Sequence, residues 1–265
     1  MQLLAKPASN RETLPFRTRY REEMNCQIVK DSIHSREGWT RSYVLERNGL
    51  AVGFGSIAIS GPWKEKPTVI EFYILPEHRL CAFDLFEAFL IASGARFFEA
   101  QSNDTLLTVL VHTYGQNITS ESIVFQDGVI TTHSVNGATL RLGTPVEEIK
   151  DSIERRQGGG EWRLELEGQD AGKGGILFHY NRPYGDIYME VGEPFRRRGL
   201  GSYLVQELKR ECRQLGAVPC ARCNPSNIPS RRTLLAAGFL PFAHILNGSI
   251  DRTERSIHAA PSNHS

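Results

Sequence analysis

The stretch Tyr188-Met-Glu-Val-Gly-Glu-Pro-Phe-Arg-Arg-Arg-Gly-Leu-Gly-Ser-Tyr-Leu204 decides how the chain is read. It places Arg196-x-x-Gly199-x-Gly201 between a strand pattern and a helix pattern. On the strand side, Asp186, Tyr188 and Glu190 share one parity and so one face. On the helix side, Leu204, Val205, Leu208, Cys212 and Leu215 recur on one face of a helix expected over residues 202–215, with Gly216 as its stop. Gly199 and Gly201 let the backbone turn tightly and bring bare N–H groups close to a ligand. The positive end of the helix points at the same spot. Arg196, Arg197 and Arg198 add charge for outer phosphates. A pyrophosphate fits such a turn.

Two better-known phosphate loops are excluded. The Walker pattern needs Gly-Lys-Ser/Thr, which is absent, and the dinucleotide fingerprint needs a third small residue where Leu204 stands. The segment instead resembles the coenzyme A pyrophosphate loop of the GNAT superfamily, Gln/Arg-x-x-Gly-x-Gly/Ala. Downstream, Asn227-Ile-Pro-Ser230-Arg-Arg-Thr-Leu-Leu-Ala-Ala-Gly238-Phe239 is similar to the second signature of that family, Asn-x-x-Ser/Ala, a helix and Gly-Phe. The resemblance covers residues 161–248 well and residues 43–125 weakly. It implies an acyl-CoA N-acyltransferase that uses acetyl-CoA as co-substrate and no metal. It further implies that Asn227, with Asn224 as competitor, contacts the coenzyme arm in a V-shaped opening between two strands, near Ser230. The loop Arg196, Arg197, Arg198, Gly199, Leu200, Gly201 and Ser202 would take the pyrophosphate. A backbone N–H at Val191 or its neighbour would polarise the thioester carbonyl.

The chain departs from the family at Leu234. Many members place a tyrosine there, seven residues after the asparagine, as general acid for the thiolate. Tyr180, Tyr184 and Tyr188 are the nearby substitutes. Acylation needs a neutral amine, and an ammonium of pKa about 10 is mostly protonated at neutral pH. A carboxylate must take that proton directly or through water; Glu190 is the first choice and Asp186 the second. The competing role for Glu190 is pairing with the three arginines.

Working outward, strands are expected over residues 43–46, 50–59, 68–75, 95–101, 122–125, 162–167, 174–180, 186–191, 218–223 and 239–246. Asn48-Gly49 joins the first two as a hairpin. Helices are expected over residues 81–93, 104–112, 144–157 and 229–237. Thr144-Pro-Val-Glu147 supplies a capping box for the third of these. The order of elements repeats, with Leu75-Pro-Glu-His-Arg79 where Gly192-Glu-Pro-Phe-Arg196 stands. The first copy has Ala82 and Asp84 in place of the loop glycines, which should spoil pyrophosphate binding. The expected fold class is therefore α/β (α+β): two GNAT-like units, each a mixed, mostly antiparallel twisted sheet flanked by helices. The division runs as an N-terminal arm over residues 1–20, a degenerate unit over 21–135, a catalytic unit over 136–250 and a disordered tail over 251–265.

Bulk properties set the remaining limits. The 265 residues carry 31 basic and 30 acidic side chains, so nothing global attracts nucleic acid or membrane. Five scattered cysteines fit reduced thiols, and with no apolar leader at the N-terminus the expectation is a cytoplasmic protein. Cys220-Ala-Arg-Cys223 reads as two core thiols, since no second ligand pair accompanies it. Asn117-Ile-Thr119 and Asn247-Gly-Ser249 read as chance matches to a glycosylation sequon, and His179 as structural. The expected activity is direct transfer of an acetyl group to a primary amine of a small molecule or peptide; a homodimer is left open. The alternative is a non-catalytic acyl-CoA-sensing or partner-binding module.

Overall fold

A computed structural model describes residues 1–26, 31–144, 158–178 and 183–251. The chain forms two compact units. The first takes Met1–Asn25, Ile33–Thr119 and the chain from Leu246; the second takes Ser120–Ile245 with the short piece Cys26–Ser32.

The first unit runs β1 (Leu3–Ala8), α1 (Asn10–Met24), α2 (Asp31–His34), β2 (Thr40–Arg47), β3 (Leu50–Ala58), β4 (Thr68–Ile74), α3 (Ala82–Ser93), β5 (Phe97–Gln101) and α4 (Thr105–Tyr114). Its strands lie in the order β1-β2-β3-β4-β5, followed by the last residues of β12 (Phe239–Ile250) and the first of β6 (Gly115–Asp127). Neighbours from β1 to β4 are antiparallel, and β4 and β5 are parallel. Phe72 and Ile74 of β4 pack against Phe86 and Phe89 of α3 and Leu110 of α4. Each such side chain contributes about 1.5–3 kcal/mol when fully buried.

The expected N-terminal arm is not an arm. β1 pairs along its whole length with β2, and α1 buries Thr13, Arg17, Tyr20 and Met24. Ser9 and Glu12 form a complete capping box at its start. Pro7 is tolerated because β1 is the edge of its sheet, where a missing N–H removes no ladder bond.

The second unit runs from Ser120 in β6 through β7 (Ala138–Thr144), β8 (Gly158–Leu166), β9 (Gln169–Leu177), β10 (Tyr184–Val191), α5 (Leu200–Gln214), β11 (Val218–Cys223), α6 (Ile228–Ala236) and β12 as far as Ile245. Its strand order is β12-β6-β11-β10-β9-β8-β7. All neighbours with a defined register are antiparallel except β10 and β11. Leu204, Val205, Leu208 and Cys212 of α5 bury against Ile176, Ile187 and Ala221 of the sheet. Ala138–Thr144 lies in the stretch expected to be a domain boundary, yet it forms an edge strand on β8. The expected division at residues 135 and 136 gives way to a discontinuous one, because β6 and β12 each contribute residues to both units. The expected helix over 144–157 and the tail beyond Asp251 lie outside the described residues, as do Tyr180 and His179. No helix among the described residues is long and apolar enough to cross a membrane.

Candidate active site

β10 and β11 pair only over Tyr184–Asp186 and Val218–Cys220. Beyond that point β10 continues to Val191 on β9, and β11 continues to Cys223 on β6. Two parallel strands that stay bonded to their outer neighbours while leaving each other form a V-shaped opening. Strand alternation fixes what faces it. The Gly192 N–H donates to Ala171 of β9 at 2.9 Å, and the Pro183 carbonyl accepts from Val218 of β11 at 2.9 Å. Odd-numbered backbone groups of β10 therefore point toward β11. Past the last paired residues, the N–H groups of Met189 and Val191 face the opening.

The loop after β10 is built on the same logic. A single turn of 3-10 helix, Glu193–Phe195, carries Pro194 as its second residue. Arg196 is extended, and its Nε donates to the Val191 carbonyl at 3.0 Å. Arg197 at φ 63° and Gly199 at φ 79° are both left-handed. This reverses the chain twice and aims successive N–H groups to one side. α5 begins at Leu200 with no side-chain cap. Among the described residues nothing accepts from the N–H groups of residues 197–202. A row of unpaired donors at the start of a long helix fits a pyrophosphate.

Gly199 supplies the left-handed turn, whereas Gly201 has an ordinary helical backbone. A Cβ at Gly201 would lie 3.1 Å from Thr233 of α6, so this glycine serves close packing rather than the turn. The Arg198 guanidinium lies 5.9 Å from the centre of the Phe195 ring.

The asparagines sit beyond the opening. Asn227 caps α6, its side chain accepting from the Ser230 N–H at 3.1 Å. Asn224 Oδ1 accepts from both the N–H and the hydroxyl of Ser226, at 2.9 and 2.6 Å, and its Nδ2 donates to the Glu121 carbonyl at 3.4 Å. Asn224 is thus committed to closing its own loop, while the side-chain Nδ2 of Asn227 donates to nothing among the described residues. Leu234 is 3% exposed and sits in the core.

The three side chains of β10 expected to do chemistry share the face turned away from α5, but their surroundings differ. Asp186 is buried; its Oδ2 lies 3.3 Å from Arg222 Nε, and burial pushes its carboxyl up to about 6 against the pull of that guanidinium. Tyr188 is 37% exposed. Its hydroxyl is raised above the usual range by burial and by the Glu161 carboxylate, and lowered by Arg163. Glu190 is exposed, and among the described residues no ion pair joins it to Arg196, Arg197 or Arg198, whose first member donates to the Val191 carbonyl instead. Cys220 and Cys223, three residues apart on one strand, point to opposite faces, and all five cysteines are buried free thiols. Arg222 and Glu161 escape sequence reading, because both join the site through strand register, which local pattern does not reveal.

The first unit repeats this frame bond for bond. The Leu75 N–H donates to Val52, the His78 N–H to Leu75, and Arg79 Nε to Ile74 at 3.1 Å, matching Gly192, Phe195 and Arg196 in turn. The loop then differs. No residue between Pro76 and Asp84 is left-handed, and the 3-10 turn Pro76–Cys81 runs straight into α3, so no nest of donors forms. Arg79 is paired instead with Glu23 of α1 at 2.5 Å, and the same carboxylate accepts from the Tyr73 hydroxyl at 2.8 Å.

A fork between parallel strands, a donor-lined helix start at its wide end and a second copy of the frame are all in place. The chain has the tandem GNAT fold. The model of the FR47-like protein family matches residues 178–244, spanning the fork, the loop and the asparagine segment. An acetyltransferase of the GNAT family from Colwellia psychrerythraea aligns at TM-score 0.71 and 14% identity, covering 95% of this chain and 100% of its own. A tandem GNAT protein from the clavulanic acid biosynthesis pathway aligns at 0.62 and 13%, covering 94% and 98%. A GCN5-related N-acetyltransferase from Sphaerobacter thermophilus aligns at 0.61 and 13%, covering 93% and 95%. No curated protein sequence matches the chain. At these identities the GNAT likeness carries the fold and its tandem layout.

Proposed function

We propose that the second unit transfers an acetyl group from coenzyme A directly to a primary amine, in a ternary complex. The observation that carries this reading is the unpaired row of N–H groups over residues 197–202 at the end of β10, where the fork is widest. A coenzyme pyrophosphate satisfies those donors, and the extended arm then runs along β10. The N–H groups of Met189 and Val191 are positioned to receive the thioester carbonyl oxygen as it gains charge. Glu190, exposed on the same strand, takes the proton from the ammonium, and the amine nitrogen attacks the thioester carbon. The N–C bond forms, the C–S bond breaks, the nitrogen releases its second proton to solvent, and the thiolate is protonated. Tyr188, on the same face of β10, carries a hydroxyl that is protonated at neutral pH and supplies the proton for the last step.

The first unit binds no coenzyme in this reading. It lacks the left-handed loop, carries Asp84 where the second unit has Gly201, and already pairs Arg79 with Glu23. Calorimetric titration with acetyl-CoA is therefore expected to give one site per chain; two sites of similar affinity would overturn the assignment. A second reading, an acyl-CoA sensor without turnover, is favoured by Leu234, a buried core side chain where the family carries its acid. A panel of primary amines separates the two: release of free thiol supports transfer, and binding without release from any amine supports the sensor.

A further inference from the structure

We infer that the Asp186–Arg222 pair closes the inner end of the fork and restricts the donor to short acyl chains; this rests on the coenzyme reading above. The fork has a direction. Its wide end carries the N–H groups of residues 197–202, and its apex lies at the last paired residues, Asp186 and Cys220. Val191 lies five strand steps from Asp186, at about 3.3 Å each. An arm that enters extended along β10 delivers its acyl group toward that apex.

Both faces of the apex are filled. On the α5 side, Ile187, Ala221 and Cys223 are buried in the core. The opposite face is crossed by the ion pair. Asp186 stands on the last paired residue of β10, and Arg222 stands two residues past the last paired residue of β11. The 3.3 Å contact between them therefore bridges strands that have already begun to part. The Asp186 side chain is 8% exposed and that of Arg222 31%, so the carboxylate forms the inner layer and the guanidinium the outer one. Cys220 lies buried on the same face beside Asp186. An acetyl methyl ends short of these groups. A chain of roughly ten carbons or more is needed to span the three to five strand residues, at about 3.3 Å each, between the thioester and the apex; it must displace either close-packed core or the guanidinium, and the second leaves a buried carboxylate without its cation, which is strongly unfavourable.

The test needs no acceptor. The wild-type chain is titrated calorimetrically with acetyl-CoA and with lauroyl-CoA, and acetyl-CoA is expected to bind roughly tenfold tighter or more. The double variant Asp186→Asn with Arg222→Ala removes the guanidinium together with the charge it neutralises. If its melting transition shows it folded, the two thioesters should bind within about threefold of each other. If it does not fold, Arg222→Lys is titrated in its place; it keeps the charge on a thinner head group and should narrow the gap by at least about threefold. Equal affinities in the wild type, or discrimination unchanged in the folded variant, overturn the inference. Absence of binding by either thioester would instead overturn the coenzyme reading beneath it.

Discussion

At Ser202, in the first turn of α5, two electrostatic effects point in opposite directions. A carboxylate there lies at the positive end of the helix and stabilises it by about 0.3–1 kcal/mol. The same carboxylate faces the place a pyrophosphate takes. Ser202→Asp is therefore expected to leave the melting temperature unchanged or slightly higher while weakening acetyl-CoA binding by roughly tenfold or more; equal affinity would mean that the donors of this loop hold no phosphate. Gly201→Asp is a poorer test, because its Cβ crowds Thr233. Glu190→Gln should lower kcat by roughly 10²-fold, with partial recovery at high pH and unchanged acetyl-CoA affinity. A change in affinity alone would remove Glu190 from the proton path. Leu234→Ala should cost about 2–5 kcal/mol in denaturant unfolding, as expected of a fully packed leucine. The turn over residues 196–202 and the cap at Asn227 are legible in the sequence because each is a local structure, set by a loop and the helix it opens. Arg222 is not, because its partner is chosen by the register between β10 and β11.

Elements were read well where period and punctuation agreed and poorly where prolines or charges masked them. β11 falls on residues 218–223 as the pattern indicates, and α5 starts two residues earlier than expected because left-handed Gly199 ends the loop. β1 and α1 were misread as an arm: Pro7 and a run of charges hid the alternation, although Ser9-x-x-Glu12 was a legible capping signal. β7 falls where the polar composition indicates a boundary, although Leu140 and Leu142 alternate with Thr139 and Arg141 after the Asn136-Gly137 turn. At α4, the capping residue is Asp104, which holds the Leu107 N–H at 2.9 Å and receives the Tyr20 hydroxyl at 2.9 Å. Burial raises its carboxyl to about 6, with the two hydrogen bonds pulling the other way. Folding therefore favours the protonated acid. The contribution is fully present below about pH 4, fades as pH rises, and is lost above about pH 6. Asp104→Asn keeps the cap and removes the charge. Urea unfolding should show the variant gaining stability relative to wild type between about pH 4 and pH 6. Asp186, raised to a similar value, keeps part of that slope in both proteins, and a difference independent of pH would show that Asp104 is ionised alike in the folded and unfolded chain.

The tandem layout was visible in the matching arginine segments, and the structure carries the match down to single hydrogen bonds at Arg79 and Arg196. The way the chain is shared out was not visible, because β6 and β12 read as single strands and nothing local marks where each passes from one unit to the other. Ile250 belongs to the core of the first unit, and its N–H donates to Arg96 at 2.8 Å. Ending the chain after Ile245 removes the strand segment between β5 and β6. Amides of Phe97–Gln101 are then expected to lose hydrogen-exchange protection while those of α5 keep theirs; retained protection in β5 would show that the segment is dispensable. The same arrangement has a consequence for biosynthesis. A ribosome adding 5–20 residues per second needs roughly 6 to 25 s to pass from Thr119 to Leu246. Throughout that interval the first unit exists with a gap between β5 and β6 and two unpaired strand edges, a state that invites chaperones or mispairing with a neighbouring nascent chain. The part of the molecule translated first is the part that closes last.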